Sequence, residues 1–473
     1  SSTVIWTMVI TKFGGTSVAD LAAMKRVVGI VQKRWKYDDN GPVVVVSALS
    51  KVTDQLLALV DLVKHGEMDT LNSRVEDLRQ RHLEFSEISG EEFREEFVRG
   101  INQTCAELGD LVKELGVIRE VSSRSLDAVL SFGELLSSRI LTAALSNAGV
   151  PAAWVDARMV LVTDGVHTSA TPDMASTSAR VQSEVAKRLQ KKFVPVIGGF
   201  VGSTHEGITT TLGRGGSDYS AAVIGACLGV SEIQIWTDVD GMLTADPRII
   251  DSPKLVPRLS FAEASELAYF GAKVLHPSTI QPAVACDIPV RILNSYRQNG
   301  PGTLITSQPG DVNSSITAIA CKRDVTVIEI TSTRMLMAHG FLRRLFEVFD
   351  RFQTAVDVVT TSEVSVSVTV DDRQRLTPLL EALSEFAEVS CEQNMALICV
   401  VGSRLSTDPG VFSQIVGVLG DVNLGMVSQA ASRRNITFVL SEADLSTAMT
   451  RMHDHFFSEK AFSTAQNEEN LSN

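Results

Sequence analysis

The sequence has no excess of positive charge. It contains 43 Lys and Arg residues against 56 Asp and Glu residues, which gives a formal net charge of −13. Proteins that bind nucleic acids usually present a basic face to the phosphate backbone. We therefore expect no nucleic-acid partner, and any anionic ligand has to be held by a few local cations.

Cysteine is scarce and long apolar runs are absent. The six cysteines form no CxxC pair, which at this length favours free thiols in a reducing compartment over a disulfide framework. No apolar run approaches the roughly 20 residues that span a bilayer, and the first residues lack a basic region followed by an apolar segment. We expect a cytoplasmic protein with no membrane partner.

Several catalytic motifs are also missing. There is no GxxxxGK[ST] loop, no HRD or DFG element and no GxSxG turn, and the eight histidines are dispersed. These absences exclude the P-loop, protein-kinase and α/β-hydrolase patterns, and no protein metal site is predicted.

The patterns that are present divide the chain into two regions. Up to about residue 293, short β-branched runs alternate with longer helical patterns, which predicts an α/β domain with a mainly parallel sheet. Residues 70–115 are charged and helical in pattern, so we expect a solvated helical hairpin that stands off the sheet. The predicted strands are residues 8–12, 43–47, 152–155, 193–197 and 233–237.

After residue 324 the pattern strand, turn, helix, strand, strand occurs twice with an offset of 70 residues, so that Gly340 matches Gly410 and Ser362 matches Ser432. Two copies are too few for a solenoid and predict a pair of α+β modules. The predicted domains are residues 8–300, a linker at 301–323, modules at 324–391 and 392–460, and a polar tail at 461–473.

The first candidate site is the turn in KFGGTSVAD. Gly14 and Gly15 let the backbone approach a ligand closely, and Ser17 with Asp20 forms a capping-box pattern at a helix start. Amide groups at such a terminus suit phosphate, and Lys12 would place a cation on the same oxygens. An ordinary strand-to-helix turn explains the motif equally well.

The second candidate repeats this arrangement in TTTLGRGGSDY. A Thr-rich strand enters Gly213, Arg214, Gly215 and Gly216, and Ser217 is expected to cap the next helix. Arg214 suits carboxylate or phosphate, and Asp218 could orient a lysine or a metal. A purely structural turn does not need an arginine between glycines.

Three further features are ambiguous taken singly. Thr237 and Asp238 end a strand and Arg248 follows in ADPR, which fits either a ligand site or an Asp-rich surface loop. Lys273 in FGAKVLHP could be solvated, and Glu134 could serve only a helix dipole. Two glycine turns with several cations in an acidic protein nevertheless favour phosphoryl transfer.

Six motifs occur in the order found in the aspartate kinases of the amino acid kinase family, and the chain resembles that family over nearly its whole length. The motifs are KFGGTSV, SFGELLSS, TTLGRGGSDY, WTDVDG, ADPR and FGAKVLHP. The resemblance implies a three-layer α/β sandwich with a mainly parallel sheet, followed by two ferredoxin-like ACT modules. It also implies that ATP with Mg²⁺ phosphorylates the side-chain carboxylate of L-aspartate, the first step toward lysine, threonine and methionine.

The resemblance assigns roles to individual residues. Lys12, Asp218 and Lys273 would be catalytic, and Gly14, Gly15, Gly215 and Gly216 would bind phosphate. Thr53, Glu134, Arg214 and Ser217 would hold aspartate. Thr237, Asp238, Leu243, Arg248, Lys273 and Val274 would serve the nucleotide, although Leu243 stands where relatives often have Tyr.

The ACT modules imply an amino-acid effector and a homodimer. The first module resembles the lysine-inhibited branch, with Asp357 and Glu363 suited to an ammonium group. Ala338 departs from the usual Ser, and both acids could instead be solvated turn residues. The predicted effector site is Met335, Ala338, Phe341, Leu342, Val356, Asp357, Ser362 and Glu363.

Three alternatives remain open at this point. The enzyme could phosphorylate another carboxylate, or the ACT modules could act only as an amino-acid sensor. A fusion with homoserine dehydrogenase is disfavoured, because the repeat occupies residues 303–473 and leaves no room for a dinucleotide domain.

Overall fold

A computed structural model of the protein describes residues 8–37, 41–272, 274–308, 315–332, 339–403, 405, 408–429 and 434–458. The chain divides into two compact units. Unit 1 runs up to Gly241 and includes Leu275–Ser307, whereas unit 2 comprises Met242–Val274 and the chain from Gln308 onward. The segment Met242–Val274 therefore interrupts unit 1 and belongs to the unit that contains the repeat.

Unit 1 is built on a parallel sheet whose strands run in the order β3-β4-β2-β1-β7-β9, with β10 antiparallel at β9. All residues of β1 and β2 are buried, as expected when helices cover both faces of a parallel sheet. The strands of unit 1 are β1 (Val9–Phe13), β2 (Val43–Val46), β3 (Ala152–Val155), β4 (Val194–Gly198), β5 (Val201–Ser203), β6 (Thr209–Thr211), β7 (Glu232–Thr237), β9 (Val290–Asn294) and β10 (Thr303–Thr306).

Helices lie on both sides of this sheet. The helices α1, α2 and α5 share one apolar core with Val44, Val46 and Val196, whereas α8 packs on β1 and β7. The predicted three-layer arrangement is confirmed. The helices of unit 1 are α1 (Leu21–Tyr37), α2 (Val52–His65), α3 (Met68–Leu83), α4 (Gly90–Ile118), α5 (Ser123–Asn147), α6 (Met174–Arg180), α7 (Lys187–Gln190), α8 (Gly216–Leu228) and α10 (Gln281–Ala285), with short 3-10 turns at Gly15–Val18, Glu84–Glu87, Ala157–Met159 and Pro277–Ile280 and a π-helical turn at Val181–Ala186.

The charged stretch from residue 70 to 115 is the hairpin of α3 and α4. It packs on α2 and α5 through Leu71, Leu78, Ile101 and Leu108, which belong to the same core, and its charged faces are solvated. Helix α5 is long and apolar enough to cross a membrane, but most of that stretch is buried within the protein. Such burial is expected of a core helix.

Unit 2 is a six-stranded antiparallel sheet with helices packed on it, in the strand order β12-β13-β11-β14-β16-β15. The order β11-α11-β12-β13-α12-β14 is the predicted ferredoxin-like βαββαβ pattern. The elements of unit 2 are β8 (Arg258–Ser260), α9 (Phe261–Tyr269), β11 (Ala318–Thr331), α11 (Phe341–Arg351), β12 (Val359–Thr361), β13 (Ser365–Val370), α12 (Leu376–Ser384), β14 (Glu388–Val401), α13 (Pro409–Leu419), β15 (Leu424–Gln429), β16 (Asn435–Ser441), a 3-10 turn at Glu442–Asp444 and α14 (Leu445–Phe457).

The two modules share their central strands. The strands β11 and β14 pair along almost their whole length, from Ala318 opposite Val401 to Thr331 opposite Glu388. The first half of β11 contributes Ile319 to the core of the second module, whereas its second half contributes Ile328 and Ile330 to the core of the first. The two halves of β11 therefore pack into the cores of different modules.

The segment from Met242 to Val274 is anchored to these modules by hydrogen bonds. The Ile319 amide donates to the Thr244 carbonyl at 2.8 Å, and the Thr317 hydroxyl donates to Glu263 at 2.6 Å. The Asn435 side chain donates to Glu266 at 2.6 Å. Part of the sequence predicted to serve the nucleotide is thus built into unit 2.

Candidate active site

The first glycine turn follows β1 at the carboxyl end of the sheet. The Gly14 amide donates to the Trp236 carbonyl on the adjacent β7, and a Cβ atom at Gly15 would lie 3.1 Å from the Ala48 carbonyl oxygen. No larger residue fits this close approach without a shift of the backbone. The turn therefore places its backbone against the ends of both neighbouring strands.

The predicted capping box at this turn is wrong. Asp20 caps α1, since its carboxylate accepts from the Ala23 amide at 2.8 Å. The Ser17 hydroxyl lies 2.8 Å from the Ser295 hydroxyl and binds the loop after β9. A 3-10 turn from Gly15 to Val18 precedes α1. The Ser17 hydroxyl therefore makes a tertiary contact with Ser295 instead of the predicted local cap.

The second glycine turn leads directly into α8. Gly213 and Gly215 have φ of +77° and +70°, conformations that favour glycine, and α8 begins at Gly216. The N-cap is Gly215 without a side-chain cap, so the prediction that Ser217 caps the helix is wrong. The Gly216 amide donates to the Gly213 carbonyl at 3.0 Å, so the amides that remain open to a ligand are those that follow it in the first turn of α8. The Arg214 side chain is exposed.

An ion pair joins the two turns. The Lys12 ammonium lies 2.7 Å from Asp218 Oδ1, and both side chains are largely buried, with 11% and 14% exposure. A Cβ atom at Gly14 would lie 3.7 Å from the Lys12 nitrogen, so the cation also lies beside the first glycine turn. The predicted catalytic residues Lys12 and Asp218 are therefore in direct contact across 206 positions of sequence.

Glu134 is a buried carboxylate in the middle of α5, and its predicted alternative role at a helix N-terminus is wrong. Its Oε1 accepts from the Ala48 amide at 3.2 Å, whereas its buried Oε2 has no hydrogen-bond partner among the described residues. Burial raises its pKa to about 8, although the Ala48 amide and the nearby Lys12 favour the charged form. A buried acceptor without a donor suits the ammonium group of a ligand.

Two glycines that the sequence analysis missed hold this region together. A Cβ atom at Gly198 would lie 2.9 Å from the Glu134 carbonyl oxygen, and one at Gly199 would lie 2.7 Å from Ser217 Cβ. Gly198 ends β4 and Gly199 follows it in VIGGF. A strand followed by paired glycines also occurs in KFGG, so the same pattern could have identified them. Thr53, half-buried in the first turn of α2, follows the loop that carries Ala48.

Thr237 and Asp238 lie at the end of β7. Because β7 pairs with β1 in parallel, with Trp236 opposite Phe13, Thr237 comes next to the first glycine turn. The Thr237 carbonyl accepts from the Ser295 amide at 2.9 Å, and its hydroxyl donates to the exposed Asp238 at 3.2 Å. Both predicted nucleotide residues of unit 1 therefore lie at the same sheet edge as Lys12.

The chain is similar to known proteins over most of its length. A sequence profile of the amino acid kinase family matches residues 7–294, and an ACT-domain profile matches residues 398–456. The chain is 36% identical to lysine-sensitive aspartokinase 3 of Escherichia coli over 95% of this chain and 99% of the relative. It is 38% identical to the chloroplastic aspartokinase 1 of Arabidopsis thaliana, over 94% and 79% of the two chains. The chain belongs to the aspartokinases.

Solved aspartokinase structures agree with this assignment. The crystal structure of E. coli aspartokinase III in complex with lysine and aspartate has a TM-score of 0.81 at 35% identity, covering 95% of this chain and 99% of that one. The structure of the same enzyme with aspartate and ADP has a TM-score of 0.78 with coverage of 95% and 100%. The fold and the kinase class predicted for this chain are confirmed.

The remaining residues that are predicted to serve the nucleotide belong to unit 2. Leu243 is half-buried and its backbone bridges to Leu255, and Val274 is also half-buried. Arg248 pairs with Asp246 at 2.6 Å and is 84% exposed, which leaves its guanidinium accessible. Lys273 lies outside the described residues.

The predicted effector residues lie in the first ACT module, except that Met335 and Ala338 lie outside the described residues. Phe341 and Leu342 begin α11, and Phe341 packs edge-on against Phe386. Ser362 and Glu363 lie in the exposed turn between β12 and β13, where the Ser362 hydroxyl accepts from the Ser365 amide.

Asp357 is not the solvated turn residue that the alternative interpretation proposed. Its side chain is only 4% exposed and pairs with the Lys322 ammonium at 2.7 Å. Lys322 also lies 3.2 Å from Asp371 and 5.0 Å from the centre of the Tyr269 ring. Asp357 Oδ2 is buried and has no hydrogen-bond partner among the described residues, so a second donor could bind there. An effector ammonium at Asp357 would share the carboxylate with Lys322.

The raised pKa of Glu134 predicts how stability depends on pH. The folded protein holds the proton up to about pH 8, whereas the unfolded chain loses it near 4.5. Because the unfolded chain releases this proton while the folded protein keeps it, the free energy of unfolding falls as the pH rises through this window. We expect Glu134→Gln to gain thermal stability relative to the parent when the pH is raised from 5 to 9.

The thermal midpoints of both proteins at the two pH values test this expectation. The exposed Glu114→Gln on α4 is the matched control and should show no such gain. A difference between Glu134→Gln and the parent that is the same at both pH values would contradict the assignment.

Proposed function

We propose that this aspartokinase transfers the γ-phosphoryl group of ATP to the side-chain carboxylate of L-aspartate at the junction of its two glycine turns. The observation that supports this proposal most is the contact between Lys12 and Asp218, which brings a cation and two sets of backbone amides together. The carboxylate oxygen attacks the γ-phosphorus and ADP leaves. The products are 4-phospho-L-aspartate and ADP, with no covalent enzyme intermediate.

In this proposal the chain stabilises charge on the transferred group. Lys12 would neutralise phosphoryl oxygens, and the amides of Gly15 and Gly215 would donate hydrogen bonds to them. The amides of Gly14 and Gly216 donate to the Trp236 and Gly213 carbonyls, so these two glycines would serve by letting the backbone come close to the phosphate. The open N-terminus of α8 adds its dipole. Asp218 holds the Lys12 ammonium in place between the turns before substrate arrives, so that little reorganisation is needed.

Aspartate would be held by its α-substituents. Glu134 Oε2, which has no hydrogen bond from the described residues, would accept from the substrate ammonium, whose charge would ionise the carboxyl group. The exposed Arg214 would bind the α-carboxylate through two parallel hydrogen bonds. Thr53 and Ser217 would complete the pocket and leave the side-chain carboxylate free to react.

Mg²⁺ would enter with the nucleotide. Among the residues that the structure describes, no group of three or more His, Cys, Asp or Glu side chains could hold a metal ion. Mg²⁺ usually binds through phosphate oxygens and water with only one or two protein carboxylates, so it does not need a larger cluster of protein ligands. When bound, Mg²⁺ offsets phosphate charge. The roles of Thr237, Asp238, Leu243, Arg248, Lys273 and Val274 at the nucleotide stay predictions.

Lys12→Ala is expected to lower kcat by about three orders of magnitude or more, because the transition state loses its charge partner. Trapping of the acyl phosphate with hydroxylamine measures turnover directly. The exposed Lys25→Ala, which removes a lysine from α1, is the matched control and should retain parental activity. Near-normal turnover in Lys12→Ala would defeat the proposed mechanism.

The same assay decides the acceptor. Aspartate, glutamate and acetylglutamate are each offered with ATP and Mg²⁺, and only aspartate should give hydroxamate at a substantial rate. A preference for another acceptor would favour the alternative carboxylate kinase, and no acyl phosphate with any of them would favour a sensor.

We further propose that L-lysine inhibits the enzyme through the first ACT module. The support is the pair of acids Asp357 and Glu363, since one buried oxygen of Asp357 accepts no hydrogen bond from the described residues. A homodimer through the ACT modules and a cytoplasmic location also stay proposals, which light scattering and cell fractionation would test.

Glu363→Ala is expected to weaken inhibition by L-lysine by about ten-fold in half-inhibitory concentration, since an exposed ammonium-to-carboxylate contact is lost. Steady-state rates at increasing L-lysine measure the shift. Glu347→Ala, an exposed acid on α11 of the same module, serves as the control and should behave as the parent. Unchanged inhibition of the Glu363 variant, or inhibition by threonine alone, would overturn this assignment.

A further inference from the structure

Asp127 is a second buried carboxylate on α5, and the proposed mechanism does not use it. It precedes Glu134 by seven residues, which places the two side chains two turns apart on the same helix face. The Asp127 side chain is completely buried. A buried carboxylate is retained only where donors compensate its desolvation.

Asp127 is fully bonded, in contrast to Glu134. The Thr211 hydroxyl donates to its Oδ1 at 2.6 Å, and His167 Nδ1 lies 2.7 Å from its Oδ2. The Thr168 amide donates to both oxygens, at 3.0 and 3.1 Å. Three separate contacts therefore converge on one side chain from two different chain segments.

Both segments border the second glycine turn. Thr211 is the last residue of β6 and stands three positions before Arg214. The Thr168 carbonyl oxygen would lie 3.0 Å from a Cβ atom at Gly213, and the Ala170 amide donates to the Thr211 carbonyl at 3.0 Å. The loop that contains Thr168 and the end of β6 together form the wall against which Gly213 turns.

The loop is held in an unfavourable conformation. Thr168 has φ of +72°, which is rare for a β-branched residue and persists only where surrounding contacts enforce it. Its amide bonds to Asp127 supply such a contact. Arg214 itself is exposed and has no ion pair among the described residues, so its position depends on the turn beneath it.

We infer that Asp127 is a positioning residue for the aspartate subsite, because it fixes the glycine turn that contains Arg214. Glu134, on the same helix face, binds the substrate ammonium. One helix thereby sets the separation between the groups that bind the two α-substituents. This inference rests on the proposed role of Arg214 in binding the α-carboxylate.

Adjacent threonines of β6 provide the test. The Thr211 hydroxyl bonds to Asp127, whereas the hydroxyl of the equally buried Thr210 lies 2.6 Å from the Thr163 hydroxyl and has no hydrogen bond to Asp127. Valine replaces either residue with little change of shape in a strand. We expect Thr211→Val to raise the KM for aspartate about ten-fold, as for loss of a hydrogen bond to a charged group, with the KM for ATP within about two-fold.

Thr210→Val should keep both KM values of the parent, and Asp127→Asn should show a larger rise for aspartate alone. Thermal midpoints of all variants report any general loss of fold. Equal effects of Thr210→Val and Thr211→Val, or a parallel rise in both KM values, would show a merely structural role and overturn the inference.

Arg214→Ala separates this inference from the function on which it rests. If that variant leaves the KM for aspartate unchanged, the proposed role of Arg214 fails and the inference fails with it. If Arg214→Ala raises this KM and Thr211→Val does not, only the role of Asp127 is overturned.

Discussion

The catalytic unit depends on one ion pair, that between Lys12 and Asp218. Two glycine turns at the carboxyl end of a parallel sheet bring backbone amide donors together. These amides alone place no full positive charge between the two turns. The pair at 2.7 Å places an ammonium group between them and keeps it largely out of water. In such a site a cation acts through a lower dielectric than at the surface, so its effect on phosphate charge is larger.

Two carboxylates on α5 show how burial is used in opposite ways. Asp127 has donors on both oxygens and holds the backbone in place, whereas one oxygen of Glu134 has no donor in the part of the chain that the structure describes, and the pKa of Glu134 is raised to about 8. The hydrogen bonds of Asp127 stabilise the fold, whereas the second oxygen of Glu134 remains available to bind a ligand. Asp357 in the first ACT module resembles Glu134 in this respect, since Lys322 takes only one of its oxygens.

Much of the site could be predicted from the sequence because glycine turns and charged residues leave local signals. KFGG and GRGG marked both turns, and the parallel sheet followed from the alternation of β-branched and helical patterns. The caps assigned to Ser17 and Ser217 were wrong because Ser17 bonds across the sheet to Ser295 and α8 begins at a glycine without a side-chain cap. Local capping rules do not register such distant partners.

Other features had no local signal. The pairing of Asp357 with Lys322 joins the segment before β12 to β11, and the bonds of Asp127 join three distant segments. Tertiary pairing also determines that the two modules share β11 and β14. It likewise places residues 242–274 in unit 2. Sequence periodicity reports burial along an element but not the identity of the partner across the core.

The central claim is that Lys12 and Asp218 act as one unit, and a double-mutant cycle on kcat tests it most directly. Lys12→Met, Asp218→Asn and the double variant are compared with the parent by hydroxylamine trapping. The account predicts that the double variant loses little more than Lys12→Met alone, because the role of Asp218 is to hold that ammonium group. Losses that multiply independently in the double variant would contradict it.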